Sequence, residues 1–171
     1  MVGLNCDHPD IYEFLHIKQN EEKLSSMNIS ILFTDEFMEA VKNDTDYTLR
    51  YHVESTGENI ERVIRARDFF MEFCETQWDW GDPGALFSDR LNDYHLLAGY
   101  PEYKIEITNP CGEFGGNAYN ACNLASINLY SMIDDKFSDE PKLNEEKFRQ
   151  TVYDGIAALD EIVSYGYDIQ P

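Results

Sequence analysis

Strand-like and helix-like stretches alternate from the first residue onward. MVGLNC is a short apolar run of strand character. It passes at once into HPDIYEFLHIKQ, where Ile11, Phe14 and Leu15 recur on one helical face and Pro9 is expected in the first turn. MNISILF reads as a second strand, with Thr34 or Asp35 placed to cap a helix over EFMEAVKN. DYTLRYHVE alternates like an exposed antiparallel ribbon. NIERVIRARDFFMEFCETQWD carries helical spacing at Ile60, Val63, Ile64, Phe69 and Phe73. This order implies an α/β architecture with a partly parallel sheet.

GDPG then breaks the pattern as a turn. Beyond it, ALFSDRLNDY reads as a short helix and YKIEI as a short strand. NEEKFRQTVYDGIAALDEIVSYG aligns Phe148, Val152, Ile156, Leu159 and Val163 on an amphipathic helix, with Gly166 placed as its C-cap ahead of the closing DIQP. No internal repeat or low-complexity linker interrupts the chain. Its 171 residues make about one domain. With 43% apolar and 13% aromatic residues, it can supply a core. A closed (β/α) barrel takes about 250 residues, so this length suits part of one, and the chain reads as cut from something larger.

Charge narrows the function. Lys and Arg number 13 against 33 Asp and Glu, a formal charge of −20. Nucleic-acid surfaces are basic, so no nucleic-acid partner is expected. No apolar run approaches a membrane span, and MVGLNCDHPD lacks the basic and apolar parts of a secretory signal. A cytosolic location follows as an expectation. Cys6, Cys74, Cys111 and Cys122 form no CxxC pair, and the histidines are scattered, so no metal site is expected. Cys74 lies among Phe69, Phe70 and Phe73 and reads as structural. His8 reads as a hydrogen-bonding residue at a helix entry. GEFGG lacks the following Lys-Ser/Thr of a phosphate cradle.

The chemistry concentrates in TNPCGEFGGNAYNACNLASINLY. Pro110 fixes its own φ and pushes Asn109 toward an extended conformation, while Gly112 removes bulk. In such a rigid turn Asn109, Cys111 and Glu113 alternate, and alternate residues of an extended chain point to one side. An amide, a thiol and a carboxylate are thus expected to converge. A carboxylate beside a thiol disfavours the thiolate, and no His stands nearby as a base. That suits a thiol used in its neutral form, with the carboxylate doing base work on a substrate hydroxyl. The plainer alternative is a turn with a buried structural Cys111, Asn109 making turn hydrogen bonds and Glu113 in solvent. Cys122 opens a second, strand-like apolar run.

NPCGE followed by ACNLASINL resembles the catalytic core of ribonucleotide reductase large chains, most closely the adenosylcobalamin-dependent kind. MVGLNCDHPDIYEFLHIKQ, NISILFTDEFMEAV, WGDPGALFSDRLN and ALDEIVSYGYDIQP are similar, in order and rough spacing, to the segments flanking that loop. The resemblance implies that residues 1–171 are a central fragment of a ten-stranded α/β barrel whose internal finger loop carries the radical cysteine. It makes Cys111 the thiyl-radical residue that abstracts the substrate's 3′ hydrogen. Glu113 becomes the base for the 3′-hydroxyl, and Asn109 a hydrogen-bonding partner of the substrate hydroxyls. Cys122 becomes one of two reducing thiols, its partner lying on an upstream strand; Cys6 falls at an ordinary strand position and reads as packing. Adenosylcobalamin is the implied cofactor, a metal-bearing radical subunit the alternative; a catalytically silent assembly remnant is a further one. The implied partners are a ribonucleoside di- or triphosphate, the remaining reductase segments, a thioredoxin-like reductant and, when complete, a second copy. The allosteric-nucleotide loop, much of the phosphate site and the C-terminal cysteines that re-reduce the enzyme are expected outside this chain.

Overall fold

The computed structural model describes residues 1–19 and 26–167. The chain forms two compact units, Met1–Tyr119 and Asn120–Pro171. In the first, Val2–Asn5 (β1) turns into the helix Ile11–His16 (α1), continued by a 3-10 turn at Ile17–Gln19. Ile11, Phe14 and Leu15 are its buried face, as their spacing predicts. Pro9 sits in the turn ahead of α1 and not inside it, because Asp10 takes the cap position. His8 accepts the Asp10 N–H on Nδ1 at 3.1 Å, the helix-entry role expected of it.

Ile29–Phe33 (β2) is buried throughout. Thr34 caps the following helix Asp35–Asn43 (α2), its hydroxyl accepting the Phe37 N–H at 3.1 Å. Asp46–Val53 (β3) and Glu58–Arg65 (β4) pair as the anticipated antiparallel ribbon. The strand takes more of the chain than the helical spacing suggests. Ile60, Val63 and Ile64 lie in β4, and the helix Ala66–Trp80 (α3) starts only afterwards. These β-branched residues resist a helix and suit a pleated ladder, and eight paired positions on β3 satisfy their backbone. Phe69 and Phe73, inside α3, are buried as expected.

Gly81 ends α3 at φ +73°, and a cis Asp82–Pro83 bond follows. Gly84–Phe87 (β5) is then a strand, and only Ser88–Asp93 (α4) is helical. The stretch read as one helix is therefore divided, because Ala85 and Leu86 pair with Ile31 and Leu32. The parallel sheet runs β1-β2-β5. Alternation gives it two different faces. Ile29, Ile31 and Phe33 enter the core with Phe37, Phe69 and Phe73, the Phe33 ring lying 5.3 Å from Phe37 and 5.1 Å from Phe73. The other face carries the small residues Gly3, Ser30 and Gly84 beside Leu32.

Ile107–Thr108 (β6) and Gly115–Gly116 (β7) close the unit as a short antiparallel hairpin. Strand pairing is shorter and later than YKIEI suggests, since β7 offers a ladder only two residues long and a 3-10 turn occupies Pro101–Tyr103.

In the second unit, residues 121–128 are irregular, not the strand read at ACNLASINL. No strand among the described residues pairs with that run, and an apolar run without a ladder partner leaves its backbone unheld. A 3-10 turn, Leu129–Met132, leads into Ile133–Asp134 (β8), which pairs with Lys142–Leu143 (β9). The helix Glu145–Tyr167 (α5) follows, with the Asn144 side chain accepting the Lys147 N–H at 2.9 Å. The helix runs through Gly166, so that residue is not its cap. DIQP lies outside the described residues. On the aligned apolar face Phe148, Val152 and Leu159 are half-buried, while Ile156 and Val163 are exposed.

Candidate active site

Cys111 stands at the tip of the β6–β7 hairpin, and the local sequence accounts for its place. The Gly112 N–H donates to the Asn109 carbonyl at 3.0 Å, closing a four-residue turn with Pro110 and Cys111 at its centre. Pro110 fixes φ at the first central position. Gly112 adopts φ +81°, a conformation in which any other residue is strained. Below the turn, the Asn109 N–H donates to the Phe114 carbonyl at 3.1 Å. The Phe114 N–H returns to Asn109 Oδ1, also at 3.1 Å. The Thr108 hydroxyl, itself buried, donates to the Asn109 carbonyl at 2.9 Å.

The alternating, extended arrangement expected for Asn109, Cys111 and Glu113 is therefore replaced by a closed turn. Proline and glycine on either side of Cys111 favour reversal of the chain over extension. The three residues do share one hairpin. Cys111 and Glu113 are exposed and Asn109 is half-buried. Two parts of the plainer reading hold, since Asn109 makes turn hydrogen bonds and Glu113 meets solvent. Its third part fails, because Cys111 is not buried. The Oδ1 of the Asn109 amide is thus taken by the Phe114 N–H. Cys122 belongs to the second unit and is exposed in its irregular opening stretch.

The other two thiols behave as packing. Cys6 is 0% exposed, its Sγ 4.0 Å from the Thr34 hydroxyl. Burial pushes its thiol upward, and burial together with nearby Cys6 does the same to the Tyr47 phenol. Cys74 packs half-buried against the core.

Two residues that the sequence does not advertise support the hairpin. A Cβ on Gly3 would meet Leu32 Cδ1 at 2.8 Å and Ile107 Cδ1 at 2.9 Å. The bare backbone of β1 is thus what lets β6 approach the small-residue face of the sheet. Asn92, at the end of α4, hydrogen-bonds the backbone of Ile105. Both contacts join segments distant in sequence, and no local motif marks them.

Residues 1–170 match the family profile described as ribonucleotide reductase, barrel domain. The chain is 35% identical over 161 residues to a vitamin B12-dependent ribonucleoside-diphosphate reductase of Thermoplasma acidophilum, covering 94% of this chain and 20% of that protein. It is 32% identical over 184 aligned residues to a vitamin B12-dependent ribonucleotide reductase of Streptomyces clavuligerus, covering 94% of this chain and 18% of the relative. A vitamin B12-dependent ribonucleoside-diphosphate reductase of Mycobacterium tuberculosis is 36% identical over 146 residues, 85% of this chain and 20% of its own length. The chain spans about a fifth of the length of these relatives.

Proposed function

The chain belongs to the ribonucleotide reductase barrel-domain family, and from that premise we propose that it supplies the thiyl-radical loop of a vitamin B12-dependent ribonucleotide reductase. The observation that carries this reading is the closed hairpin holding Cys111 at its exposed tip, with Glu113 two residues on. Residues 1–171 then form a central part of the catalytic barrel. The substrate is a ribonucleotide, and two relatives named as ribonucleoside-diphosphate reductases favour the diphosphate. The remaining reductase segments, a thioredoxin-like reductant, a second copy and a cytosolic setting complete the proposal.

The relatives' names imply adenosylcobalamin, which supplies radical chemistry when bound. Two hollows among the described residues are too small to enclose it. A hollow of about 260 Å³ lined by Asn92, Ala98, Tyr100, Pro101 and Lys104 and one of about 390 Å³ beside Phe148 and Arg149 lie near the lower end of small-molecule sites, roughly 300–1,000 Å³. A corrin with its nucleotide tail is larger than either.

Once its S–H hydrogen has been removed as an atom, Cys111 takes the 3′ hydrogen atom of the bound ribonucleotide. S–H re-forms and a carbon radical is left at C3′. The Glu113 carboxylate accepts the 3′-hydroxyl proton, which weakens the neighbouring bond at C2′. The 2′-hydroxyl leaves as water, its added proton coming from the reducing thiols. Loss of water leaves a C2′ radical beside a 3′-keto group. Cys122 and a second thiol give a hydrogen atom to C2′ and one further electron to that keto group and become a disulfide, while Glu113 returns its proton to the 3′-oxygen. Cys111 then returns its hydrogen atom to C3′. The Asn109 Nδ2 donor orients the substrate hydroxyls.

The test uses the active reductase assembled from this chain and its complementary segments, with a nucleotide labelled by tritium at C3′. Cys111→Ser is expected to abolish both deoxynucleotide formation and release of label. Cys122→Ser is expected to keep label release and block deoxynucleotide formation. Glu113→Gln should slow turnover by ~10²-fold, the usual scale for losing a general base. Label release in Cys111→Ser, or equal loss of release in both cysteine variants, would show that the roles are wrongly assigned.

A further inference from the structure

One side chain grips, along its outer edge, the segment that leads into β6 and the Cys111 hairpin. Asn92, half-buried, donates from Nδ2 to the Ile105 carbonyl at 3.0 Å and accepts the Ile105 N–H on Oδ1 at 2.9 Å. Nδ2 also donates to the Ser88 carbonyl at 2.9 Å, so both N–H bonds of the amide are used. An Asn bonding back one helical turn to Ser88 is ordinary at a helix end. Capture of both backbone groups of one distant residue is not explained by it. Along the strand, the Glu106 N–H turns to the opposite edge and donates to the Gly116 carbonyl at 3.0 Å. Asn92 thus occupies the place of a third strand and closes Ile105 as a ladder partner does.

The consequence is register. A slip of one residue exchanges the edges that the backbone groups face and turns every side chain over. The β6–β7 ladder pairs only two positions on each strand, and the bonds around it join the hairpin to itself and not to the rest of the unit. A slipped strand would face Asn92 with groups that meet neither its donor nor its acceptor. The clamp is itself anchored, since the Ser88 hydroxyl donates to the Phe33 carbonyl at the end of β2 at 3.2 Å.

We propose that Asn92 is a positioning residue for Cys111: by holding both backbone groups of Ile105, it sets the register of the hairpin and so the place where Cys111 and Glu113 are presented. Its effect on turnover rests on the reading of Cys111 given above, and its effect on the hairpin does not.

Amide hydrogen exchange resolved to single residues in the 171-residue chain reads the hairpin directly. Asn92→Asp has nearly the same shape and no donor. It and Asn92→Ala are both expected to accelerate exchange at Asn109 and Phe114 by about tenfold or more, as a local opening does. The amides of Cys6 and Met38, hydrogen-bonded elsewhere in the same unit, should keep their rates. Unchanged exchange at Asn109 and Phe114 would overturn the proposal. Equal acceleration at Cys6 and Met38 would overturn it too, by making Asn92 a general stability residue. In the assembled reductase, Asn92→Asp should lower kcat by ~10²-fold, the scale of a small misplacement of a reacting group, with KM for the nucleotide little changed. Full turnover in Asn92→Asp beside an inactive Cys111→Ser overturns the positioning role and leaves the proposed function standing. Turnover in Cys111→Ser removes the proposed function and leaves the exchange result intact.

Discussion

Cys6 and Tyr47 share the closed end of β2 with the Thr34 hydroxyl, and both hold their protons more tightly than they would in water. The folded chain therefore keeps these protons to higher pH than the unfolded chain does. Stability from this source is complete below about pH 8.5, where an unfolded thiol begins to ionise, and is lost as pH rises toward the folded values. A melting temperature that declines from that pH upward is expected. In Cys6→Ala the decline should begin only near pH 10, where an unfolded tyrosine ionises. An unchanged onset in Cys6→Ala, followed by thermal melts from neutral to alkaline pH, would contradict the assignment. The burial of Cys6 was anticipated only through the family resemblance, which puts it at an ordinary strand position. Its neighbours were not, because Thr34 and Tyr47 reach it through the fold and not through local spacing.

Among the elements, β1, β2, α2 and α5 were legible from their apolar patterning, with the Thr34 cap signal added at α2. β4 and β5 were not. Each looks helical or ambiguous in isolation and becomes a strand because a partner with open backbone groups lies alongside it. The Cys111 hairpin was half legible: Pro110 and Gly112 announce a turn, but its anchorage on Gly3 and Asn92 depends on contacts far apart in sequence. That anchorage is testable through Gly3. An Ala methyl can be met by shifts of the Leu32 and Ile107 side chains, whereas the two γ-methyls of Val overfill the gap. Gly3→Val is expected to destabilise the first unit by about 1–3 kcal/mol, as overpacking does. It should also loosen the amides of Asn109 and Phe114, while Gly3→Ala changes both much less. Denaturant melts of the two variants, with exchange at those amides, separate the outcomes.

For the chain as a whole, two surface properties oppose each other. A formal charge of −20 drives copies apart, while large apolar side chains stand in water, including Trp78 at 90% exposure, Phe137 at 95% and Ile156 at 63%. Repulsion between surface charges is screened within about 8 Å at physiological ionic strength, and apolar attraction is not weakened by salt. Self-association that grows as salt is raised is therefore expected, and Ile156→Lys should reduce it. A chain that stays monomeric by light scattering at high salt would refute this. The same contrast between covered and uncovered groups has a practical side for the four thiols. Two lie open to a small alkylating reagent and one is sealed in the core, so a short pulse of maleimide writes the state of the protein into its mass. Each label marks a thiol that the fold leaves open to water, and a count above two tells a chain whose packing has loosened from one that is closed.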